Sequence, residues 1–227
     1  MGTISSEHKI PAYLVFFDLD YTLINTISSK ALVLTALGKG LLSISTLARA
    51  IYISLTYKLK LKDPLKAINE MIKWIQGIPE KSMNDLCSET FNKFLLSSIY
   101  PDARSEIKLH KQRNAKTIIL SSSILSICRE VAVNLDLDDI ICSIPEVTDN
   151  HYTGYFNGNI CFGNEKAVRL KAYCENINTV SGETWYYGDS ITDLPVLNLV
   201  NHPVCINPDK KLRKRARLNG WEIKDWH

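Results

Sequence analysis

The chain is expected to fold as a three-layer α/β protein, a parallel sheet flanked by helices, with an inserted all-helical subdomain and one small β-hairpin. Three observations lead there. Short runs such as Val15-Phe16-Phe17 and Trp185-Tyr186-Tyr187 are apolar without alternation, as strands covered on both faces require. From Tyr100 onward such runs alternate with helical patterns, which implies parallel strands joined by crossover helices. Between them, residues 26–98 show helical spacing and few strand-like segments, so they read as an insertion.

The elements follow in order. Tyr13 to Phe17 is the first strand, short and made of β-branched or aromatic residues. In the insertion, Ala67-Ile68, Met71-Ile72 and Trp74-Ile75 recur at helical intervals. Asp63-Pro64 supplies an N-cap and a first-turn proline for that helix. Ser82 with Asp85 offers a similar start for the next helix, and Gly77-Ile78-Pro79 is a turn between the two. A helix over Ala103 to Arg113 leads to a strand at Thr117 to Leu120. A second helix, Leu125 to Leu135, leads to a strand at Asp139 to Cys142. Gly154 to Cys161 reads as the hairpin, with Asn157-Gly158 as its turn. A helix from Glu165 to Cys174, a strand at Thr184 to Tyr187, a helix near Asp193 to Leu199 and a strand at Pro203 to Ile206 complete the alternation.

A chain of 227 residues is long enough for one well-cored domain with an insertion, here 1–25 with 99–227 and 26–98 respectively. The 45% hydrophobic and 22% charged fractions are those of a soluble globular protein. Cys87, Cys128, Cys142, Cys161, Cys174 and Cys205 form no close pair, so they suggest neither a zinc nor a redox-dithiol motif and fit reduced, buried thiols. The first nine residues have no apolar core of a signal peptide, so a cytoplasmic setting is expected. The apolar stretch Ile27 to Leu61 is interrupted by Lys30, Lys39 and Arg49, short of the roughly 20 uninterrupted residues of a spanning helix. A buried or amphipathic helix pair is the expectation, with membrane-surface contact as the alternative. The basic run Lys210 to Arg217 has Leu212, Ala216 and Asn219 at helical spacing. It therefore reads as a last helix with a solvated cationic face, not as a nucleic-acid site, the net charge being only +3.

Chemistry enters at the strand ends, where ligands gather in open parallel sheets. Asp18 and Asp20 stand two apart after the first strand and would point to the same side of an extended chain. Two close carboxylates need a cation or a shared proton, and opposite protonation states would make them an acid/base pair. Asp-x-Asp alone, however, commonly caps a turn. Ser121-Ser122-Ser123 follow a strand and precede a helix, where hydroxyls and free amides either bind phosphate or simply cap the helix. Lys166 opens a helix, a position that is usually solvent-exposed but can neutralise a phosphate. Asp189 and Asp193 flank a strand-to-helix turn after Gly188. Hard oxygen donors of this kind suit Mg²⁺, although Asp193 also reads as an N-cap.

Order and spacing together are more specific than any one of these. Asp18-Leu19-Asp20-Tyr21-Thr22, then Ser121, then Lys166, then Gly188-Asp189-Ser190-Ile191-Thr192-Asp193 resemble the four motifs of the haloacid-dehalogenase-like superfamily of aspartate-nucleophile phosphatases. The helical insertion after the first motif, the segment Gly154 to Lys166 and Asn207-Pro208-Asp209 with Gly220-Trp221 resemble its phosphoserine-phosphatase-like branch, with a Rossmann-like core and a helical cap. The resemblance implies a Mg²⁺-dependent phosphomonoesterase acting on a small phosphorylated metabolite, such as an amino-alcohol or amino-acid phosphate like histidinol phosphate. Asp18 would be the nucleophile and Asp20 the acid/base. Asp18, Asp189 and the backbone carbonyl of Asp20 would hold the metal, Ser121, Ser122 and Lys166 the phosphoryl oxygens, with Asp193 in support. A phospholipid-type phosphatase or a phosphotransferase shares the first half-reaction. A catalytically silent binding module is disfavoured, since it would be free to lose Asp18 or Asp20. The branch's serine-specific enzymes carry a glutamate soon after the first motif, whereas Asn25-Thr26-Ile27-Ser28 has no acidic residue.

Overall fold

A computed structural model describes residues 10–48, 52–53 and 63–227. Its centre is a six-stranded, all-parallel sheet. The strands are β1 (Leu14–Phe17), β2 (Lys116–Ile124), β3 (Asp139–Ser143), β6 (Thr184–Gly188), β7 (His202–Ile206) and β8 (Glu222–Lys224), in the order β3-β2-β1-β6-β7-β8. The chain builds outward from β1 first on one side and then on the other. The gap between β1 and β6 is thus a topological switch point, the place where such sheets open a crevice. Phe17 lies level with Ile119 of β2 and with Tyr187 of β6, so three strand ends converge there.

The unalternating strands follow from having a core on each face. Val15, Phe17, Ile119 and Tyr187 belong to one apolar cluster, Leu14, Phe16, Ile118, Leu120 and Tyr186 to the other. The helices α4 (Pro101–Gln112), α5 (Leu125–Leu135), α6 (Asn164–Asn176), the short α7 (Leu194–Leu197) and α8 (Lys210–Asn219) connect the strands. In α8, Asp209 caps the Lys211 and Leu212 amides, while Leu212 and Ala216 are buried and the basic residues 210, 211, 214, 215 and 217 face solvent. Arg213 pairs with Asp225 at 2.7 Å.

Between β1 and α4 the described residues include α1 (Ser28–Gly38), α2 (Pro64–Met71) and α3 (Glu80–Thr90). Asp63 accepts from the Lys66 amide at 3.0 Å with Pro64 in the first turn, as the sequence indicates. The chain enters and leaves this segment through a paired neck. Ile24 bridges Ile99, the Asn25 amide donates to the Ser98 carbonyl at 2.7 Å, and the Tyr100 amide to the Leu23 carbonyl at 3.1 Å. Part of the stretch Ile27 to Leu61, including Arg49, lies outside the described residues. Among the described residues no helix is long and apolar enough to cross a membrane.

Two local expectations are corrected. The hairpin is β4 (Pro145–Thr148) with β5 (His151–Phe156), upstream of the expected place. Its two-residue loop, Asp149-Asn150, has φ of 49° and 61°, the paired left-handed geometry that matches strand twist. Asn157-Gly158 instead lies just past β5 and turns no hairpin. The helix expected to start at Ser82 starts at Glu80 behind Pro79, because residues 77–80 are drawn onto β5. The Tyr152 amide donates to the Ile78 carbonyl at 3.0 Å, and the Glu80 amide to the Asn150 carbonyl at 2.9 Å.

One buried group makes stability depend on pH. His110 lies between the hydroxyls of Tyr13, 2.9 Å from Nδ1, and Tyr187, 2.7 Å from Nε2, and burial pushes its pKa down to about 4 despite the opposing pull of Glu106. The unfolded chain binds this proton near pH 6.5, the folded one only near 4, so this contribution is lost as pH falls through that window. Asp20 and Asp189, whose pKa values are raised, act in the opposite sense, so the effect is isolated by difference. Between pH 7 and pH 5 the wild type should lose on the order of 1–2 kcal/mol more than His110→Gln. Urea unfolding at the two pH values checks this, and equal losses would refute it.

Candidate active site

The site is built at the carboxyl ends of β1 and β6. Asp18 follows β1 directly, and its amide donates to the Tyr187 carbonyl at 2.9 Å. Its Oδ1 accepts from the Leu19 amide at 2.8 Å, and Oδ2 lies 2.9 Å from Lys166 Nζ. Lys166 stands in the first turn of α6 yet is only 3% exposed, against the usual fate of such a lysine. Its ammonium has three donors and three partners: Asp18, Asp193 Oδ1 at 2.9 Å and the Tyr186 hydroxyl at 3.1 Å. Burial works against the charge, but the Asp18 and Asp193 carboxylates outweigh it and hold the Lys166 pKa well above its ordinary value.

Asp193 does not cap a helix with its side chain. It sits in the turn Ile191–Asp193, where the Ser190 hydroxyl accepts from the Thr192 amide, and its carboxylate turns inward to Lys166. Its Oδ2 is buried without a hydrogen-bond partner. Asp18, Asp189 and Asp193 bring one carboxylate oxygen each within 4.8 Å of one another. Burial, followed by the charges of Asp18 and Asp193, pushes the Asp189 pKa up to about 8. A cluster of oxygen donors with an orphaned carboxylate oxygen and surplus negative charge fits a hard divalent cation such as Mg²⁺.

Asp20 is held differently. Its Oδ1 accepts from the Ser28 amide at the start of α1, 2.9 Å away, and burial pushes its pKa up to about 6, against the Ser28 hydrogen bonds and with help from Asp18. Its carboxylate stands outside the three-aspartate cluster. The serines also differ from expectation. β2 runs on through Ser121, Ser122 and Ser123, with a register shift after Ser121, and α5 starts only at Leu125. Ser121 is therefore no helix cap. It is buried, and its Oγ accepts from the Ser123 amide at 3.2 Å, while Ser123 Oγ meets Ser28 Oγ at 2.9 Å. Ser122 is half-buried beside them.

Three contributors lie beyond the sequence motifs. Tyr186 was legible only as a strand residue, yet its hydroxyl completes the lysine's shell. Ser28 joins the insertion to Asp20. Asp209 accepts from the Ile191 amide at 2.8 Å through Oδ2 while capping α8 through Oδ1, thereby fixing the loop that carries Asp189 and Asp193. A signal existed for it in Asn207-Pro208-Asp209 ahead of a helix. Tyr21, in the middle of the first motif, adopts φ 57°, a left-handed backbone uncommon for a residue other than glycine.

These observations define an acidic, lysine-bridged site at the switch point of a parallel sheet. A sequence model of haloacid dehalogenase-like hydrolases matches residues 15–198, and the chain belongs to that family. It shares its fold with solved phosphoserine phosphatases, one of them from Vibrio cholerae, with a TM-score of 0.72 at 15% identity. It is similar to a histidinol-phosphatase of Neisseria meningitidis, 29% identical over 215 residues, covering 92% of this chain and 97% of that one. A phosphoserine phosphatase of Mycobacterium tuberculosis is 27% identical over 222 residues, covering 93% and 70%. A protein of unknown function from Bordetella pertussis has the same fold, with a TM-score of 0.85 at 23% identity over 95% of this chain and 99% of that one.

Gly188 tests how tightly the site is packed. A Cβ there would stand 2.8 Å from the Tyr186 ring and 2.9 Å from Asp193 Oδ2. Gly188→Ala should lower stability by about 1–3 kcal/mol through overpacking and displace Asp193 from Lys166. Thermal unfolding and phosphatase assay of the variant check both effects, and a variant of unchanged stability and activity would refute them.

Proposed function

We propose that this hydrolase is a phosphatase that cleaves a small phosphomonoester through a phosphorylated Asp18. The Lys166 ammonium shared between Asp18 and Asp193, with Asp189 alongside, is the observation that carries this reading. Lys166 holds Asp18 in place, and with Ser121 and Ser122 it receives the phosphoryl oxygens. An Asp18 oxygen attacks phosphorus, and the bond from phosphorus to the leaving oxygen breaks. Asp20 gives its proton to that oxygen. It then takes a proton from the water that attacks the phosphoaspartate, releasing inorganic phosphate and restoring Asp18. A pKa raised to about 6 fits a group that both gives and takes a proton near neutrality.

Asp18, Asp189 and the Asp20 backbone carbonyl would hold Mg²⁺, with Asp193 in support through Lys166. When bound, the ion neutralises phosphoryl charge and relieves repulsion among the carboxylates. Residues 26–98 act as the cap that contacts the leaving group, joined to the core through the neck at Ile24 and Ile99. The similarity to a histidinol-phosphatase supports a small amino-alcohol or amino-acid phosphate as substrate.

Asp18→Asn, nearly isosteric, should reduce kcat by at least about a thousandfold without loss of fold, and Asp20→Asn should also be severe. Substantial turnover by purified Asp18→Asn would refute the nucleophile. Chelation with EDTA should abolish activity and Mg²⁺ should restore it, with Ca²⁺ a poor substitute because of its larger, looser shell.

Selection of the alcohol is a separate matter. Asn25 to Ser28 offers no carboxylate for a serine ammonium group, and Ser28 is already engaged with Asp20 and Ser123. In a panel of phosphorylated metabolites, another compound, histidinol phosphate among the candidates, should exceed L-phosphoserine in kcat/KM. L-phosphoserine leading the panel would overturn this assignment.

A further inference from the structure

The loop that carries Asp189 is held from outside the four motifs. The Asp209 amide donates to the Asp189 carbonyl at 2.8 Å, and Asp209 Oδ2 accepts from the Ile191 amide at 2.8 Å and the Ser190 hydroxyl at 3.3 Å. Asp209 reaches these partners only because of the path the chain takes on leaving β7, and that path is set two residues earlier. Asn207 adopts φ 40°, a left-handed backbone that asparagine tolerates better than most residues. The turn sends the chain from the end of β7 towards the neighbouring end of β6.

Asn207 is itself clasped by the chain beyond β8. Its amide donates to the Lys224 carbonyl at 3.0 Å. Its side chain meets one residue twice: Nδ2 donates to the Trp226 carbonyl at 3.1 Å, and Oδ1 accepts from the Trp226 amide at 3.0 Å. A carboxamide suits this role because it offers a donor and an acceptor side by side. Trp226 is buried, its ring centroid 6.3 Å from that of Tyr100 and 6.0 Å from that of Tyr187. Both neighbours belong to the frame of the site. The Tyr187 carbonyl accepts from the Asp18 amide, and the Tyr100 amide closes the neck on Leu23. Burial raises the Tyr100 pKa, and its hydroxyl also feels the Asn207 side chain and the Asp189 carboxylate. Asp18 and Asp189 are therefore both referred to one buried indole, the first through Tyr187 and the second through Asn207 and Asp209.

We propose that Asn207, clasped to Trp226, is a positioning residue for Asp189 and thereby sets the affinity of the site for Mg²⁺. Asn207 carries no charge, so its effect is one of placement. The inference rests on the reading of Asp189 as a metal ligand.

Asn207→Gly tests it, because glycine removes the clasp while leaving a left-handed backbone unstrained. Mg²⁺ binding to the full chain is measured by calorimetry without substrate, with the Mg²⁺ dependence of p-nitrophenyl phosphate turnover beside it. The variant should bind Mg²⁺ about ten- to a hundredfold more weakly, as when a partner that orients a metal ligand is lost. At saturating Mg²⁺ its kcat and its KM for p-nitrophenyl phosphate should return to within about twofold of wild type. A merely structural role would lower the unfolding temperature and leave Mg²⁺ affinity unchanged, and that result would overturn the proposal. Wild type alone gives a second measurement, by reciprocity: if the clasp favours Mg²⁺, Mg²⁺ favours the clasp. The Trp226 amide should exchange with solvent more slowly when Mg²⁺ is bound. Exchange indifferent to Mg²⁺ would overturn the proposal even if the variant did not fold. A wild type that binds no Mg²⁺ would remove the metal reading along with this one, whereas equal affinity in wild type and variant would remove this one alone.

Discussion

Everything at this site depends on one buried ammonium. Lys166 is almost wholly withdrawn from water, and a bare charge there would be several kcal/mol unfavourable. It is tolerated because each of its three donors has a partner, two of them carboxylates from different parts of the chain. Asp18 comes from the end of β1, Asp193 from the turn after β6, Tyr186 from within β6 and Lys166 from α6. The contact therefore ties together elements more than 170 residues apart, and the arrangement of charge is set before any substrate arrives.

The sheet supplies the positions that this contact needs. With β1 between β2 and β6, the Asp18, Ser121 and Asp189 strand ends fall on one edge by topology alone. Local geometry then refines them. The register shift in β2 carries the serines past the expected strand end. Gly188 leaves room for Tyr186 and Asp193, and Asp209 holds the loop between them from the next strand's end. The excess of carboxylate over ammonium leaves surplus negative charge at this edge, which suits a hard divalent cation.

The helices between β1 and β2 are coupled to this edge rather than merely attached to the chain. Ser28 bonds Asp20 from the first turn of α1, and residues 77–80 extend the β4–β5 hairpin by main-chain bonds. Gly154 in β5, with φ 82°, permits that approach, since a Cβ would stand 3.1 Å from Gln76 Cβ.

Much of this was legible from residues alone. The fully apolar strands announced a sheet covered on both faces, because a half-exposed strand must alternate. The α5 boundaries, Leu125 and Leu135, and the Asp63-Pro64 helix start followed from local propensity and capping, which act over a few residues. Asp18, Asp20, Ser121, Lys166, Asp189 and Asp193 were recognisable by order and spacing, since chain connectivity places strand ends together. What sequence could not resolve were matters of competition between distant partners. Asp149-Asn150 won the hairpin turn from Asn157-Gly158 because the pairing with residues 77–80 selects the register. Burial of Lys166, the inward turn of Asp193 and the hydroxyl of Tyr186 were decided only in three dimensions. The sequence determined which charged groups were available and on which strand ends, and the tertiary structure decided their partners, because a charge's partner depends on what else is excluded from water beside it.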